Sequence, residues 1–553
     1  MTNKEISRKF SLTAKLMELH GENKFKARSY SNASFNLSRI DKPIEKMDSN
    51  EIASLKGVGD AIAQKIEDLL EKGSFKLLDE LTAKTPEGIM ELLQIKGLGA
   101  SKLKVIWKDL GVETPGELLY ACKENRLMTM KGFGEKTQKN VQESLEYYLS
   151  NRTMYLYARL EPVFDLIQSN LKSLSVAESI LPTGDFRRGA VVLERLDFLL
   201  IDPRDDLEGI LLENGIIQSA EFNDGVISGK SPEGIPLNFH LSPREESGLQ
   251  WIRTTGSKAY LESLSALPSN GVFEDEYSVY SAMGKELVPP EMREAEVLDR
   301  LDNIGNLVTE ADIKGVIHNH SNWSDGAASV EEMARACIEK GYEYLVMSDH
   351  SRSAFYANGL DETRVLAQQK EIDELNQKLQ AEGAKFKVFK SIESDVLADG
   401  SLDYSAEVLD SFDLIIASIH SSLRMDEEKA MMRLMKAIEN PATKILGHMT
   451  GRLLLSRPGY PVNHHKIIDA CAENDVVIEI NANPMRLDID WRYIPYAMDK
   501  GVMISINPDA HQINGIDDIH YGTIAARKGG LTREMCLNTL DLDGFEQFIA
   551  KKG

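Results

Sequence analysis

Gly315-Val-Ile-His-Asn-His-Ser-Asn-Trp-Ser-Asp-Gly326 is the stretch whose reading decides the rest of the chain. A short apolar run enters it, His318 and His320 stand two apart, and Asp325 follows in a Ser-Asp-Gly turn. Side chains two apart on a strand project to the same face, so both imidazoles can address one metal while Asp325 closes over it. Six further apolar runs of strand length follow, each ending in a polar or metal-type group. They are residues 344–348 before Asp349 and His350, 386–392 before Glu393, and 413–419 before His420. Then come 444–447 before His448, 476–480 before Asn481, and 502–507 before Asp509 and His511.

Seven strands with functional groups at their C-terminal ends, separated by helical stretches such as 329–340 and 361–381, predict a parallel barrel of β and α elements. Any one of these histidines, taken alone, is more often a satisfied core residue than a ligand. Six of the eleven, however, fall at strand ends of residues 312–553. His464, His465 and His520 do not, and read as surface residues.

These motifs resemble the polymerase and histidinol phosphatase (PHP) family of metal-dependent phosphoesterases, over residues 312–553. Matched residue by residue, the resemblance places metal ligands at His318, His320, Asp325, His350, Glu393, His420, His448, Asp509 and His511, with no family position missing. It implies a cluster of up to three divalent ions, for which such donors suit Zn, Mn or Fe without choosing among them. Asp349 and Asn481 are expected to orient ligands or touch substrate, since a ligating imidazole needs its other nitrogen held. Arg452 and Arg486 are expected to grip phosphate bidentately, with structural salt bridges as the alternative.

The chain has 553 residues and a net charge of -23, enough length for several domains and too acidic for a protein that coats nucleic acid indiscriminately. The charge is uneven: residues 1–150 carry 24 Lys plus Arg against 22 Asp plus Glu, so any grip on nucleic acid is expected there. Cys122, Cys337, Cys471 and Cys536 are widely spaced, which suits a reducing cytoplasm. With no signal peptide and no long apolar run, the expectation is a cytoplasmic, soluble protein without a membrane partner.

A repeat occupies the front of the chain. Lys56-Gly-Val-Gly59, Lys96-Gly-Leu-Gly99 and Lys131-Gly-Phe-Gly134 recur at near-even spacing, each followed by a helical stretch. This is the helix-hairpin-helix signature: Gly57, Gly59, Gly97, Gly99, Gly132 and Gly134 let backbone amides approach a nucleic-acid phosphate, with no base contact needed. A tight interhelical turn without ligand is the bland alternative, and it weakens with each copy. Together with Lys24, Lys26 and Arg28, candidate phosphate contacts, these elements resemble the lyase-type and fingers regions of family X DNA polymerases. The resemblance puts Lys65 at a position able to form a Schiff base with an abasic sugar, although Ala61 replaces a neighbouring family lysine.

From residue 153 the resemblance runs on into a polymerase palm and thumb, but its chemistry does not. Gly184-Asp185-Phe186-Arg187-Arg188 has Asp185 where the family has a nucleotide-contacting Ser. The paired-carboxylate position reads Arg195-Leu196-Asp197, and the third carboxylate falls on Pro236. Arg195 puts a fixed positive charge where a dication would sit, so polymerase activity is expected to be lost. Pro289-Pro290-Glu-Met-Arg-Glu294 resembles the junction of the bacterial fusions known as PolX.

The expected architecture is therefore multidomain. A helical helix-hairpin-helix region (a lyase-like domain over 1–75, a fingers-like domain over 76–152) precedes a degenerate α+β palm and thumb (153–284). A linker (285–311) then leads to a distorted (β/α)7 PHP barrel (312–553). The function implied is a metal-dependent phosphodiesterase in DNA repair, a 3′-5′ exonuclease or an abasic-site endonuclease, with gapped, 3′-recessed or abasic DNA as partner. A small-molecule phosphoesterase of histidinol-phosphatase type and a gap-filling polymerase are the rivals.

Overall fold

The computed structural model describes all residues except 2, 39, 41, 56, 96, 150–153, 265, 266, 270 and 551–553. Lys56 and Lys96, and the expected boundary at 152–153, lie outside the described residues. The chain forms two compact units. One comprises Met1–Lys123 and Met130–Leu149, the other Glu124–Thr129 and Ser150–Gly553.

The first unit is helical wherever it has regular structure. Helix Asp60–Lys72 is typical of it. Ile62, Ala63, Ile66 and Leu69 recur at the three- and four-residue spacing that makes one apolar stripe, and all four are buried. Gly73, at φ 76, ends the helix in the left-handed conformation that glycine adopts without a side-chain clash.

The second unit holds two sheet systems. In the first, β1 (Tyr155–Leu156) pairs with β3 (Val192–Leu193) beside a five-stranded sheet. That sheet is built from β2 (Ser179–Thr183), β4 (Leu196–Ile201), β5 (Ala220–Asn223), β6 (Val226–Lys230) and β7 (Pro236–Ser242), in the order β2-β4-β7-β6-β5. Only β4 and β7 run parallel. An aromatic column of Tyr157, Phe186, Phe164, Phe198 and Phe239, stacked at 4.5 to 5.3 Å between neighbouring ring centroids, fills its core.

The second system is the parallel barrel. Its strands are β8 (Gly315–Asn319), β9 (Tyr344–Met347), β10 (Lys387–Asp395), β11 (Leu414–Ser418), β12 (Ile445–Leu446), β13 (Val477–Asn481) and β14 (Ile504–Asn507), paired in sequence order. A bridge between Asn319 and Ala510, with the His320 amide donating to the Ala510 carbonyl at 2.9 Å, brings the first strand back to the last and nearly closes the ring. Every residue of β8, β9, β11, β12, β13 and β14 is buried, as expected where helices cover a parallel sheet. The apolar core of the barrel also takes in Leu249, Ile252, Tyr260, Phe273, Val279 and Val288. The core therefore changes hands within the expected thumb, well before residue 285. All four cysteines are buried and unbridged. Among the described residues no helix is long and apolar enough to cross a membrane.

Candidate metal centre

The first barrel strand does not present its histidines by simple alternation. Between Val316 and Asn319, three steps on β8 match two on β9, and His318 sits at φ 63. A non-glycine residue held there costs about 1–3 kcal/mol and persists only where the surroundings impose it. The consequence is that His318 and His320 still converge, with ring centroids 5.4 Å apart, although a bulge rather than the strand period brings them together. Asp509, at φ 53 after β14, is held in the same way.

All nine expected ligands meet at the C-terminal end of the barrel. Glu393, leaving the middle of β10, is the hub. Its carboxylate lies 3.3 Å from His318 Nε2, 3.7 Å from His320 Nε2, 2.9 Å from His350 Nδ1, 3.0 Å from His420 Nε2 and 2.9 Å from His448 Nε2. Asp509 approaches His320 Nε2 at 3.0 Å and His318 Nε2 at 3.5 Å. Asp325 lies 3.6 Å from His350 Nε2 and 3.4 Å from His511 Nε2, which completes one connected cluster of buried imidazoles and carboxylates.

Electrostatics in this cluster are set by burial opposed by neighbours. Burial pushes the His420 imidazolium down, but Glu393 and Asp395 outweigh it and raise the group to about 9. Burial with His511 and His350 alongside lowers His320 to about 3. Glu393 is held well below the usual carboxylate range because its histidine neighbours overcome the cost of burial.

The donors fit divalent cations on an observation internal to the site. His318 Nε2, both nitrogens of His350, Asp325 Oδ2, Glu393 Oε2 and His511 Nε2 are buried and make no hydrogen bond. Each such orphan costs about 1–3 kcal/mol, and so many pointing into one space are best explained by cations that they would coordinate. Three overlapping donor sets fall within 4.8 Å: His320, Asp325, His350 and His511; His318, His320 and Glu393; His350, Glu393 and His420.

An outer layer, only partly foreseen, orients these groups. His318 Nδ1 lies 2.6 Å from Glu479 Oε2, and His420 Nδ1 pairs with Asp395. Neither carboxylate was singled out in the sequence, although alternation along β13 puts Glu479 and Asn481 on one face. Asn481 donates to Asp509 at 2.9 Å and to Glu479 at 3.2 Å. Asp349 belongs to none of the donor sets and accepts from the Ser321 amide at 2.8 Å, the Ser321 hydroxyl at 2.7 Å and Gln368 at 2.5 Å, clamping the turn that carries Asp325. Arg486 is buried with Nε 4.0 Å from Asp509. Arg452 instead donates to the Arg486 carbonyl at 3.0 Å, to Asp490 at 2.6 Å and to the Leu487 carbonyl, which is the structural alternative to a phosphate grip. His464 stacks on Tyr493, and His520 bridges Glu161 at 2.8 Å and Glu310 at 2.6 Å, so neither is the plain surface residue expected.

The palm positions assemble differently. Asp197 is paired across the sheet with Asn238, and Pro236 begins the same neighbouring strand. Burial would raise the Asp197 carboxyl, but His240 at 3.1 Å, Arg195 at 3.1 Å and Asn238 at 3.0 Å hold it below its ordinary value. Arg187 is bidentate to Glu276, both bonds at 2.7 Å, and Arg188 binds Glu294 at 2.8 Å and pairs with Asp185. Among the described residues, no metal-type cluster includes a palm residue.

In the helical unit the three hairpins share one geometry. Gly57, Gly97 and Gly132 have φ +79, +93 and +90, where a side chain would be strained. Gly59 and Gly99 cap the helices that follow, and the space beside them and beside Gly134 is open. Lys24, Lys26 and Arg28 are exposed on helix Lys24–Leu37. Lys65 Nζ donates to the Ala61 carbonyl at 2.8 Å, and burial, with Lys26 adding repulsion, lowers its pKa.

Comparison with known proteins agrees with this anatomy. A helix-hairpin-helix domain model matches residues 1–75, a SAM-like helix-hairpin-helix tandem 89–146, and the PHP domain 317–483. The DNA polymerase/3′-5′ exonuclease PolX of Bacillus subtilis (strain 168) is 33% identical over the whole of both chains. A probable phosphatase of Thermoanaerobacter sp. (strain X514) is 25% identical over 42% of this chain and 94% of its own. The DNA nucleotidylexotransferase of Gallus gallus is 26% identical over 39% of this chain and 41% of its own.

Proposed function

The chain belongs to the PolX family, and from that premise we propose that it is a metal-dependent phosphodiesterase acting on DNA, removing nucleotides from 3′ ends, with polymerase activity lost. The observation that carries the reading is the Glu393 hub, one carboxylate within 3.7 Å of five imidazoles from the ends of four strands. His318, His320, Asp325, His350, Glu393, His420, His448, Asp509 and His511 would hold up to three divalent ions, with Zn, Mn and Fe all suited to the donors. When bound, such ions supply Lewis acidity and charge neutralisation to a phosphoryl group.

The protein's own groups do the rest. Glu479 and Asp395 hold their histidines in one orientation, Asn481 turns Asp509 inward, and buried Arg486 offers a positive charge to a phosphate next to Asp509. Gapped, 3′-recessed or abasic DNA is the substrate class proposed, because three backbone-reading hairpins have no use for a free phosphate monoester. An abasic-site activity through Lys65 is supported by its lowered pKa. Loss of nucleotide transfer is supported by Asp197 lying within hydrogen-bond distance of Arg195, Asn238 and His240.

A second reading, a small-molecule phosphoesterase, is favoured by the likeness of the barrel to a probable phosphatase. The two separate in one experiment. Full-length protein with Mn is given 3′-recessed DNA, an abasic duplex and a phosphate monoester. Nucleotide release from DNA, abolished by chelation and by His318→Ala with His320→Ala, is expected. Rapid monoester turnover with inert DNA would move the assignment to the second reading. Primer extension that persists in the double variant would overturn the loss of polymerase activity.

A further inference from the structure

The cluster has a member that comes from outside the barrel. Residues Glu124–Thr129 belong to the second unit, although the helices on either side of them in sequence belong to the first. Glu124 is 3% exposed, and its carboxylate lies 3.2 Å from His511 Nε2. It falls within 4.8 Å of ligand atoms of both His511 and Asp509, a fourth donor set beside the three already described. Its segment is held by Arg126, whose guanidinium sits 4.9 Å over the Tyr356 ring, and by Thr129, whose hydroxyl donates to the Tyr356 carbonyl at 3.4 Å.

We propose that Glu124 is a metal ligand, so that Glu124, Asp509 and His511 form a divalent-cation position that the barrel's own strands leave incomplete. This rests on the metal-dependent reading above. Two buried carboxylates this close repel each other in a medium that screens poorly, and a cation between them removes that cost. His511 Nε2 makes no hydrogen bond, yet two carboxylates face it, Asp325 at 3.4 Å and Glu124 at 3.2 Å. The contacts of Glu124 match in kind and length those among the nine expected ligands, such as His320 to Asp509 at 3.0 Å and His350 to Asp325 at 3.6 Å. A manganese, zinc or ferrous ion suits a His and two carboxylates. Loading of this position then depends on the 124–129 segment, which lies within the matched helix-hairpin-helix tandem and not in the PHP domain.

Metal uptake by full-length protein tests this without reference to activity. Wild type, Glu124→Gln and Glu124→Asp are stripped with chelator, titrated with Mn by calorimetry, and their bound metal counted after desalting. Circular dichroism verifies the fold. Glu124→Gln is expected to bind one equivalent fewer than wild type, or to bind one equivalent at least about tenfold more weakly. Glu124→Asp, which keeps the charge with a shorter reach, is expected to fall between them. Unchanged number and affinity in Glu124→Gln would overturn the proposal, and a wild type that takes up no divalent ion would overturn both it and the reading beneath it. Inert DNA with the uptake difference intact would sink only the assigned reaction.

Discussion

His318 Nδ1 lies 2.6 Å from Oε2 of Glu479, a residue 161 positions away on β13. The same carboxylate accepts from Asn507 at 2.8 Å, from Asn481 at 3.2 Å and from the His448 amide at 3.0 Å. Glu479 thus ties the first, fifth, sixth and seventh strands together and leaves His318 Nε2 aimed at Glu393. Glu479→Gln keeps the shape and removes the charge. Metal affinity is expected to fall about 10–100-fold, with DNA hydrolysis falling in parallel, as measured by Mn titration. Unchanged metal affinity would show that His318 needs no such partner.

Arg452 holds a loop, so its removal should be read in stability before catalysis. Its absence strips hydrogen bonds from the Arg486 and Leu487 carbonyls and from Asp490. Arg452→Ala is expected to cost about 1–3 kcal/mol in chemical denaturation. A large rise in KM for DNA with stability intact would instead return Arg452 to the phosphate.

His520 makes stability depend on pH. Hydrogen bonds with Glu161 and Glu310 raise its pKa from 6.5 to about 9. The proton is bound more tightly in the folded state, so the contribution is fully present below about pH 6.5 and disappears as pH rises through 9. Wild type should therefore lose more Tm between pH 6.5 and 9 than His520→Gln does. Parallel curves for the two proteins across that window would contradict the assignment.

The hairpins should act through phosphate alone. Gly97→Ala places a side chain at φ +93, distorting the loop before the helix Ala100–Asp109. DNA affinity is expected to drop for all sequences alike, and the slope of log K against log salt to become shallower by about 0.9 for each phosphate that the loop no longer neutralises. A change in sequence preference at constant slope would argue for base recognition instead.

Local pattern carried the sequence a long way. Apolar runs ending in a polar or metal-type group announced seven parallel strands with their functional groups at one end, because strand length and chain polarity are written in consecutive residues. The glycine-lysine repeats announced the hairpins for the same reason, since a positive φ favours glycine wherever it occurs. The palm was legible only as an expectation, from Arg195 and Pro236 at the carboxylate positions, and it took the folded sheet to set Asn238 opposite Asp197.

Tertiary structure alone decided the rest. The bulge at His318 replaced simple alternation as the cause of convergence, and Glu479 and Asp395 took their roles from strands that meet only in the closed ring. Arg452 turned toward a loop and His520 toward two glutamates because partners within reach, not motif position, determine where a long or polar side chain spends its hydrogen bonds. Glu124 stands furthest from the barrel's own sequence. Nothing in the residues around it speaks of a cation, and only the folded chain brings its carboxylate beside His511.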